Sequence, residues 1–214
     1  MKLTVFGANG AIGQAVVREA VKAGHEVIAV ARRQGTLDKS PAQHKAYGLM
    51  TDANFVRQQV VNSDVVISAV GPSLNSKRQD KTTPVADGLA VLVAVMEEWQ
   101  SKRLIINGTP TLADRHRDKN SLVTLVPKVM ARLFLPAGYR EMKKMQAILE
   151  QTSVDWTVVR FLNPNLKSDG VGYTYAFGDS KAKFSVSRQN IAKFMVYDSY
   201  KSQFSREMPI VFNR

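Results

Sequence analysis

The stretch Leu3-Thr4-Val5-Phe6-Gly7-Ala8-Asn9-Gly10-Ala11-Ile12-Gly13 decides the fold. A β-rich run passes directly into three glycines, each three residues from the next. A helical pattern follows, with Ile12, Ala15, Val16, Ala20 and Ala23 on one face and Gly24 as its stop. A strand that turns at glycine into a helix is the context a dinucleotide fingerprint requires. One glycine lets the chain leave the strand sharply. Another lets the backbone approach a pyrophosphate, and the last lets the helix pack on the sheet. The helix start then offers unpaired N–H groups and partial positive charge to phosphates. The spacing is G-x-x-G-x-x-G, and glycines also serve ordinary turns. Their place between a first strand and a first helix gives them meaning. Gly7, Ala8, Asn9, Gly10, Ala11, Ile12 and Gly13 are therefore the expected phosphate-binding residues.

Working outward, β-rich and helical runs alternate. Glu26–Ala31, Asp64–Val70, Leu104–Asn107 and Trp156–Arg160 read as strands, and Asn54–Val61, Val85–Trp99 and Arg140–Glu150 as helices. Asp64–Val70 is apolar almost throughout, as befits a parallel strand covered on both faces. The pattern predicts an α/β fold: a doubly wound, Rossmann-type parallel sheet with helices on both faces. Beyond it, Asn163–Asp179 reads as loops with a short strand, Asn190–Asp198 as a helix and Pro209–Phe212 as a last strand. Residues 1–214 are expected to form one NAD(P)-binding domain, with about 161–214 as a small substrate-side lobe.

The end of the second strand speaks to which dinucleotide is bound. NAD-preferring sites place an acid about 20 residues past the glycines, on the ribose 2′-hydroxyl. Here Ala31 is followed by Arg32-Arg33. A guanidinium pairs with a 2′-phosphate where a carboxylate would repel it. NADP(H) is thus expected over NAD(H), the bland alternative being two solvated loop arginines. Thr36 and Lys39 stand close enough in sequence to add contacts.

Composition bounds the chemistry. The absence of cysteine excludes thiolate nucleophiles, disulfides and cysteine–metal sites. No two histidines have metal-ligand spacing, and no metal is expected. There is no secretory leader pattern and no apolar run of spanning length, so a cytoplasmic location without a membrane partner is expected. The formal net charge is +12, with clusters at Lys77-Arg78, 115–119 and 140–144. No basic tail or aromatic-interleaved stretch accompanies it. A solvated basic surface is the plainer reading, and a nucleic-acid face is not expected.

Taken together, these segments resemble the atypical short-chain dehydrogenase/reductase superfamily. The chain is most similar to its small NAD(P)H-binding branch, which includes flavin reductase and biliverdin reductase B-like proteins. Val5–Gly13 resembles the glycine turn of that branch, and Gly48–Asp52 its loop near the adenine. Asp64–Pro72 resembles the strand behind the cofactor, Asp155–Arg160 the strand entering the substrate side, and Ser187–Phe194 a C-terminal helix start. The resemblance implies cofactor contacts from Thr51, Asp52, Ala69, Val70 and Gly71. It also shows departures: Leu49 stands where an acid is common, Asn163-Pro164 where a proline directly follows the arginine, and Asn190 where an Asp is common.

The superfamily's catalytic pattern is a Tyr and a Lys four residues apart on one helix face, with a Ser or Thr after the preceding strand. Tyr139 and Lys143 fit by position, with Thr109 after the Leu104–Asn107 strand. Tyr197 and Lys201 have the same spacing, which is unspecific on its own. Flavin-reductase-like members generally lack the pair, and the protein then chiefly positions the nicotinamide against an acceptor. Phe161, Tyr173, Tyr175 and Phe177 are candidates to wall a planar acceptor, or else core residues; Leu125–Pro136 is a candidate lid or dimer face. Two functions follow. The first is an NADPH-dependent oxidoreductase passing hydride to a flavin (FMN or FAD as substrate), quinone or other small-molecule acceptor, with carbonyl reduction through Tyr139 and Lys143 as a variant. The second is a non-catalytic NADP(H)-binding redox sensor. Either would be a monomer or a homodimer.

Overall fold

The computed structural model describes residues 1–72, 81–100, 103–114, 116–118, 122–166, 172–178 and 185–214. Its strands are β1 (Lys2–Phe6), β2 (Glu26–Ala31), β3 (His44–Tyr47), β4 (Val65–Ser68), β5 (Arg103–Gly108), β6 (Asp155–Arg160), β7 (Pro164–Asn165), β8 (Tyr173–Ala176), β9 (Val186–Ser187) and β10 (Ile210–Asn213). Its helices are α1 (Ala11–Lys22), α2 (Ala53–Val60), α3 (Pro84–Glu98), α4 (Leu122–Phe134), α5 (Pro136–Gln151) and α6 (Arg188–Lys201). Eight strands form one sheet in the order β3-β2-β1-β4-β5-β6-β10-β8, while β7 and β9 pair separately. All neighbours in the large sheet are parallel except β8, which runs antiparallel to β10.

Alternate residues of a strand face opposite sides, and both sides of this sheet are covered. Leu3, Val5, Val27, Ala29, Ile67 and Val159 pack toward α1 and α6. Phe6, Ile28, Val30, Val66, Leu104 and Val158 pack toward α2, α3 and α5. This is the doubly wound α/β architecture read from the sequence. At β1 the chain order reverses, with β2 on one side and β4 on the other. In open α/β sheets, ligands bind beyond the carboxyl ends of the strands at such a switch point.

Two features differ from the sequence pattern. His44-Lys45-Ala46-Tyr47 lacks an apolar run, yet forms β3 by pairing with β2, Ala31 opposite Tyr47. An edge strand meets a core on fewer sides, so periodicity marks it weakly. Residues 161–214 add β10 and β8 to the β6 edge of the same sheet and lay α6 against α1. At the amino ends of β5 and β6, the buried Arg103 donates to Asp155 (3.0 Å) and to Asp198 of α6 (2.5 Å), tying that helix to the sheet.

Candidate cofactor and acceptor site

Gly7 leaves β1 with φ +74, a conformation that favours glycine. Its carbonyl accepts from the Gly10 amide at 2.9 Å, closing the turn, and the Gly10 carbonyl accepts from the Gln14 amide at 2.8 Å, opening α1. A Cβ on Gly13 would lie 2.1 Å from the Gly7 oxygen, so the helix start and the turn touch backbone to backbone. α1 has no side-chain N-cap and no acid in its first turn. Asn9, Gly10 and Ala11 are exposed there. The turn is thus a tight cradle whose open face carries backbone donors and no competing carboxylate, a fit for a pyrophosphate.

The Ala8 amide donates to the Val30 carbonyl at 3.0 Å, locking the turn to the end of β2. The next residues out of β2 after Ala31 are Arg32 and Arg33. Both are exposed, and neither forms an ion pair among the described residues. The Thr36 hydroxyl donates to the Arg33 carbonyl at 2.7 Å and folds the following loop back. Between that loop and α1 lies a cleft of about 700 Å³, lined among others by Ala8, Arg18, Lys22, Thr36, Asp38 and Lys39. Thr36 and Lys39 therefore share a concave, predominantly basic surface with the glycine turn.

Past β3, Thr51 and Asp52 are exposed. Asp52 caps α2, its carboxylate accepting from the Asn54 and Phe55 amides at 3.0 and 3.1 Å. One oxygen, Oδ1, takes both bonds. Past β4, the Ala69 amide donates to the Phe6 carbonyl at 2.9 Å, which places Ala69, Val70 and Gly71 directly beside the glycine turn. A Cβ on Gly7 would meet Val70 at 3.0 Å. Asn107 of β5, oriented with its amide nitrogen toward this loop, donates to the Val70 and Ser68 carbonyls at 2.9 and 3.1 Å. Sequence reasoning passed over Asn107; a lone polar residue near the carboxyl end of an otherwise apolar strand was its signal.

On the acceptor side, Thr109 is half-buried just past β5, its hydroxyl 2.6 Å from that of Thr111. Tyr139 is half-buried in the first turn of α5 and Lys143 is exposed one turn on. Gln146, on the same helical stripe, reaches the loop after β5, donating to the Ala113 carbonyl at 3.1 Å. Because α5 returns antiparallel to the strands, its first turn stands at the sheet edge that carries the glycine turn. Tyr139 and Thr109 thus share that edge, with no hydrogen bond joining them among the described residues. Glu141, buried on the opposite side of α5, accepts from the Val85 and Ala86 amides at 3.2 and 2.8 Å and caps α3. Tyr197 and Lys201 lie in the second half of α6, whose Asp198 joins the Arg103 network at the far edge, away from the glycine turn.

The loop after β5 is fastened by ions. Arg160, fully buried at the end of β6, grips Asp118 with two bonds of 2.6 Å and donates to the Leu112 carbonyl at 2.8 Å. Asp114 accepts from the His116, Arg117 and Met208 amides at 3.1, 3.0 and 2.8 Å. His116 itself is exposed. The candidate acceptor aromatics divide: Phe161 is buried in the core, while Tyr175 packs edge-on against Phe204 at 4.7 Å and Tyr173 against Phe194 at 5.5 Å. Tyr175 also meets Phe177 edge-on at 6.3 Å and is itself exposed. Burial also pushes the Tyr173 phenol above its ordinary range. Among the described residues no cluster of three or more His, Asp or Glu stands ready for a metal, and no helix is long and apolar enough to cross a membrane.

Comparison with known proteins agrees with this geometry. A provisionally assigned NAD-dependent epimerase/dehydratase from Bacillus halodurans superposes with TM-score 0.80 at 20% identity, over 100% of this chain and 94% of that one. A provisionally assigned NADH-flavin reductase from Streptococcus pneumoniae gives 0.74 at 22% identity, covering 100% of both. A short-chain dehydrogenase/reductase from Veillonella parvula in complex with NADP gives 0.75 at 16% identity, over 99% and 94%. At such identities the likeness is one of fold. The family model described as NAD(P)H-binding matches residues 7–197, from the first glycine of the turn into α6, and the chain belongs to that family.

Proposed function

We propose that the protein is an NADPH-dependent reductase that passes hydride to a planar small-molecule acceptor such as a flavin or quinone. The observation that carries the cofactor choice is the Arg32–Arg33 pair, exposed and without an ion pair among the described residues, one step past the strand end that the glycine turn is bonded to. Two free guanidinium groups at that place suit a 2′-phosphate. Gly7–Gly13 would hold the pyrophosphate on backbone N–H groups, and Thr51 and Asp52 would border the adenine end. The Ala69–Gly71 loop, braced by Asn107, would back the cofactor as it crosses β4.

When bound, NADPH supplies a hydride from its nicotinamide, and the reduced acceptor completes its balance with one proton from water. The protein's part is to orient and to exclude solvent. Thr109 would face the nicotinamide end, and Tyr139 and Lys143 would edge the acceptor. A flavin or quinone needs little acid–base help, so Tyr139 is proposed as a wall rather than a proton donor. The fold neighbour named as an NADH-flavin reductase supports the acceptor class.

The test is consumption of NADPH and NADH by the purified protein with FMN, quinones and small carbonyls. Rapid NADPH use with flavin or quinone supports the reading. NADPH binding without turnover across the panel would replace it with a sensor. Turnover of carbonyls alone, abolished by Tyr139→Phe, would replace it with the carbonyl reductase.

A further inference from the structure

Helix α4 turns apolar side chains outward. Leu125, Val126, Val129, Met130 and Leu133 are each 46–57% exposed, and Leu135 just past the helix is 50% exposed. Successive spacings of one and three or four residues put the helical members on one continuous stripe. Scattered apolar residues on a surface need no explanation, but a contiguous stripe marks an interaction face.

Charge stands beside this stripe. Between Leu122 and Lys144 the chain carries Lys128, Arg132, Arg140, Lys143 and Lys144 against a single acid, Glu141. That acid is buried at the α3 amides. Arg132 and Lys143 are exposed and form no ion pair among the described residues. The whole chain has a net charge of +12. Lys144 is held by Asp87 at 2.5 Å, so a second copy of the chain meeting α4 face to face would bring together two sets of Arg132 and Lys143, for which the described residues offer no ion pair. A surface that is apolar in its middle and negative around it meets both features, and an anionic lipid headgroup layer over acyl chains is such a surface.

We propose that α4 is a peripheral membrane anchor, seating its apolar stripe in an anionic lipid surface while Arg132 and Lys143 meet the headgroups. Neither signal suffices alone; lipid anchoring ordinarily combines an apolar insertion with basic attraction. The sequence reading expects no membrane partner for want of a spanning segment, but a helix lying in the interface needs none. The anchor also has a consequence for the site. α4 ends two residues before α5 begins, and Tyr139 lies in the first turn of α5. Docking would set the rim of the proposed acceptor site at the lipid surface, where apolar planar acceptors partition. The inference stands on the α4 surface alone and survives failure of the reductase reading.

The experiment is co-sedimentation of the full chain with phosphatidylcholine vesicles and with vesicles containing about one-third phosphatidylserine, at low and high salt. The variants are Val129→Asp with Met130→Asp, and Arg132→Glu. The expected result is pelleting with the anionic vesicles, reduced about tenfold or more by high salt or by neutral lipid. The double variant should remain in the supernatant while melting at the wild-type temperature. Arg132→Glu should weaken pelleting severalfold, and Met130→Trp emission should shift to the blue when anionic vesicles are added. Three outcomes would overturn the anchor. One is no pelleting with anionic vesicles. Another is equal pelleting of wild type and double variant, which would mean adsorption by charge alone. The third is a dimer that the double variant splits while vesicles bind neither form.

Discussion

At the end of β2, Arg32 and Arg33 stand in solvent and form no ion pair among the described residues. At the end of β6, on the same edge of the sheet, Arg160 is fully buried and holds Asp118 with two bonds of 2.6 Å. The residue type and the strand position are alike, but the electrostatic situation is opposite. Burying a guanidinium is tolerable only when its charge and donors are met, and Asp118 and the Leu112 carbonyl meet most of them. Leu112 and Asp118, in the loop after β5, are thereby fixed as architecture. The β2 end keeps its charges uncommitted, and beside it, where the Ala8 and Gly10 amides close the glycine turn, the first amides of α1 lie at a helix start and have no intrahelical partners. A binding surface in this fold is where polar groups lack internal partners, and a structural surface is where they have them.

Breaking the structural member of the comparison should have the largest effect. Asp118→Ala would strand the Arg160 charge in the interior and cost about 3–5 kcal/mol of stability. Urea unfolding should show this directly. Arg160 and Asp118 replaced together by Met and Leu should recover much of the loss, because an apolar pair of similar volume avoids the desolvation cost. An equal loss in the single and double variants would show that the clamp is not the fastening described.

Breaking the proposed binding member should leave stability alone. Arg32→Ala with Arg33→Ala removes only exposed groups, so the melting temperature should hold. Affinity for NADPH should fall about 10–100-fold, as for losing a charged hydrogen-bonded pair, with NADH affinity unchanged. Isothermal titration with both cofactors reads the difference. On the acceptor side, Tyr139→Phe should change flavin or quinone turnover by less than about threefold, against a loss of 10²–10⁴-fold for a true general acid.

The smallest expected effect sharpens the structural side. Glu97 near the end of α3 accepts from the Thr152 hydroxyl at 2.6 Å and the Ser153 amide at 2.9 Å, and these bonds hold its carboxyl below the ordinary glutamate range. A lowered folded pKa means that this stability is complete above the ordinary glutamate value and is lost as pH falls through the lowered one. Glu97 is largely exposed, so Glu97→Gln should cost no more than about 1 kcal/mol near neutrality. The gap between wild type and variant should close in acid, as urea midpoints at several pH values would show.

Much of this molecule is legible in the sequence, and the physical reason differs by region. The glycine turn, β4 and the α1 face are local patterns: a turn chemistry, an unbroken apolar run and a 3.6-residue period. They carry the doubly wound sheet and the first half of the site. β3 escapes because His44-Lys45-Ala46-Tyr47 owes its strand form to β2 rather than to its own residues. The insertion of β10 between β6 and β8 escapes because pairing across tens of residues leaves no local trace. Asp118 reads as one charge in a run of charges until the fold brings Arg160 over it. Asn107 and Glu141 share that character, since their partners lie on other elements. Asp52 has a local signature, an acid just before a helix, and its capping of α2 is what that signature predicts.

The central claim, that the uncommitted arginines at the end of β2 select the cofactor, is tested most directly by measuring NADPH and NADH dissociation constants for wild type and the Arg32→Ala, Arg33→Ala variant. The account predicts that wild type binds NADPH at least about tenfold more tightly than NADH, and that the variant binds both alike. Equal affinities in the wild type, or a preference for NADPH that survives loss of both arginines, would contradict it.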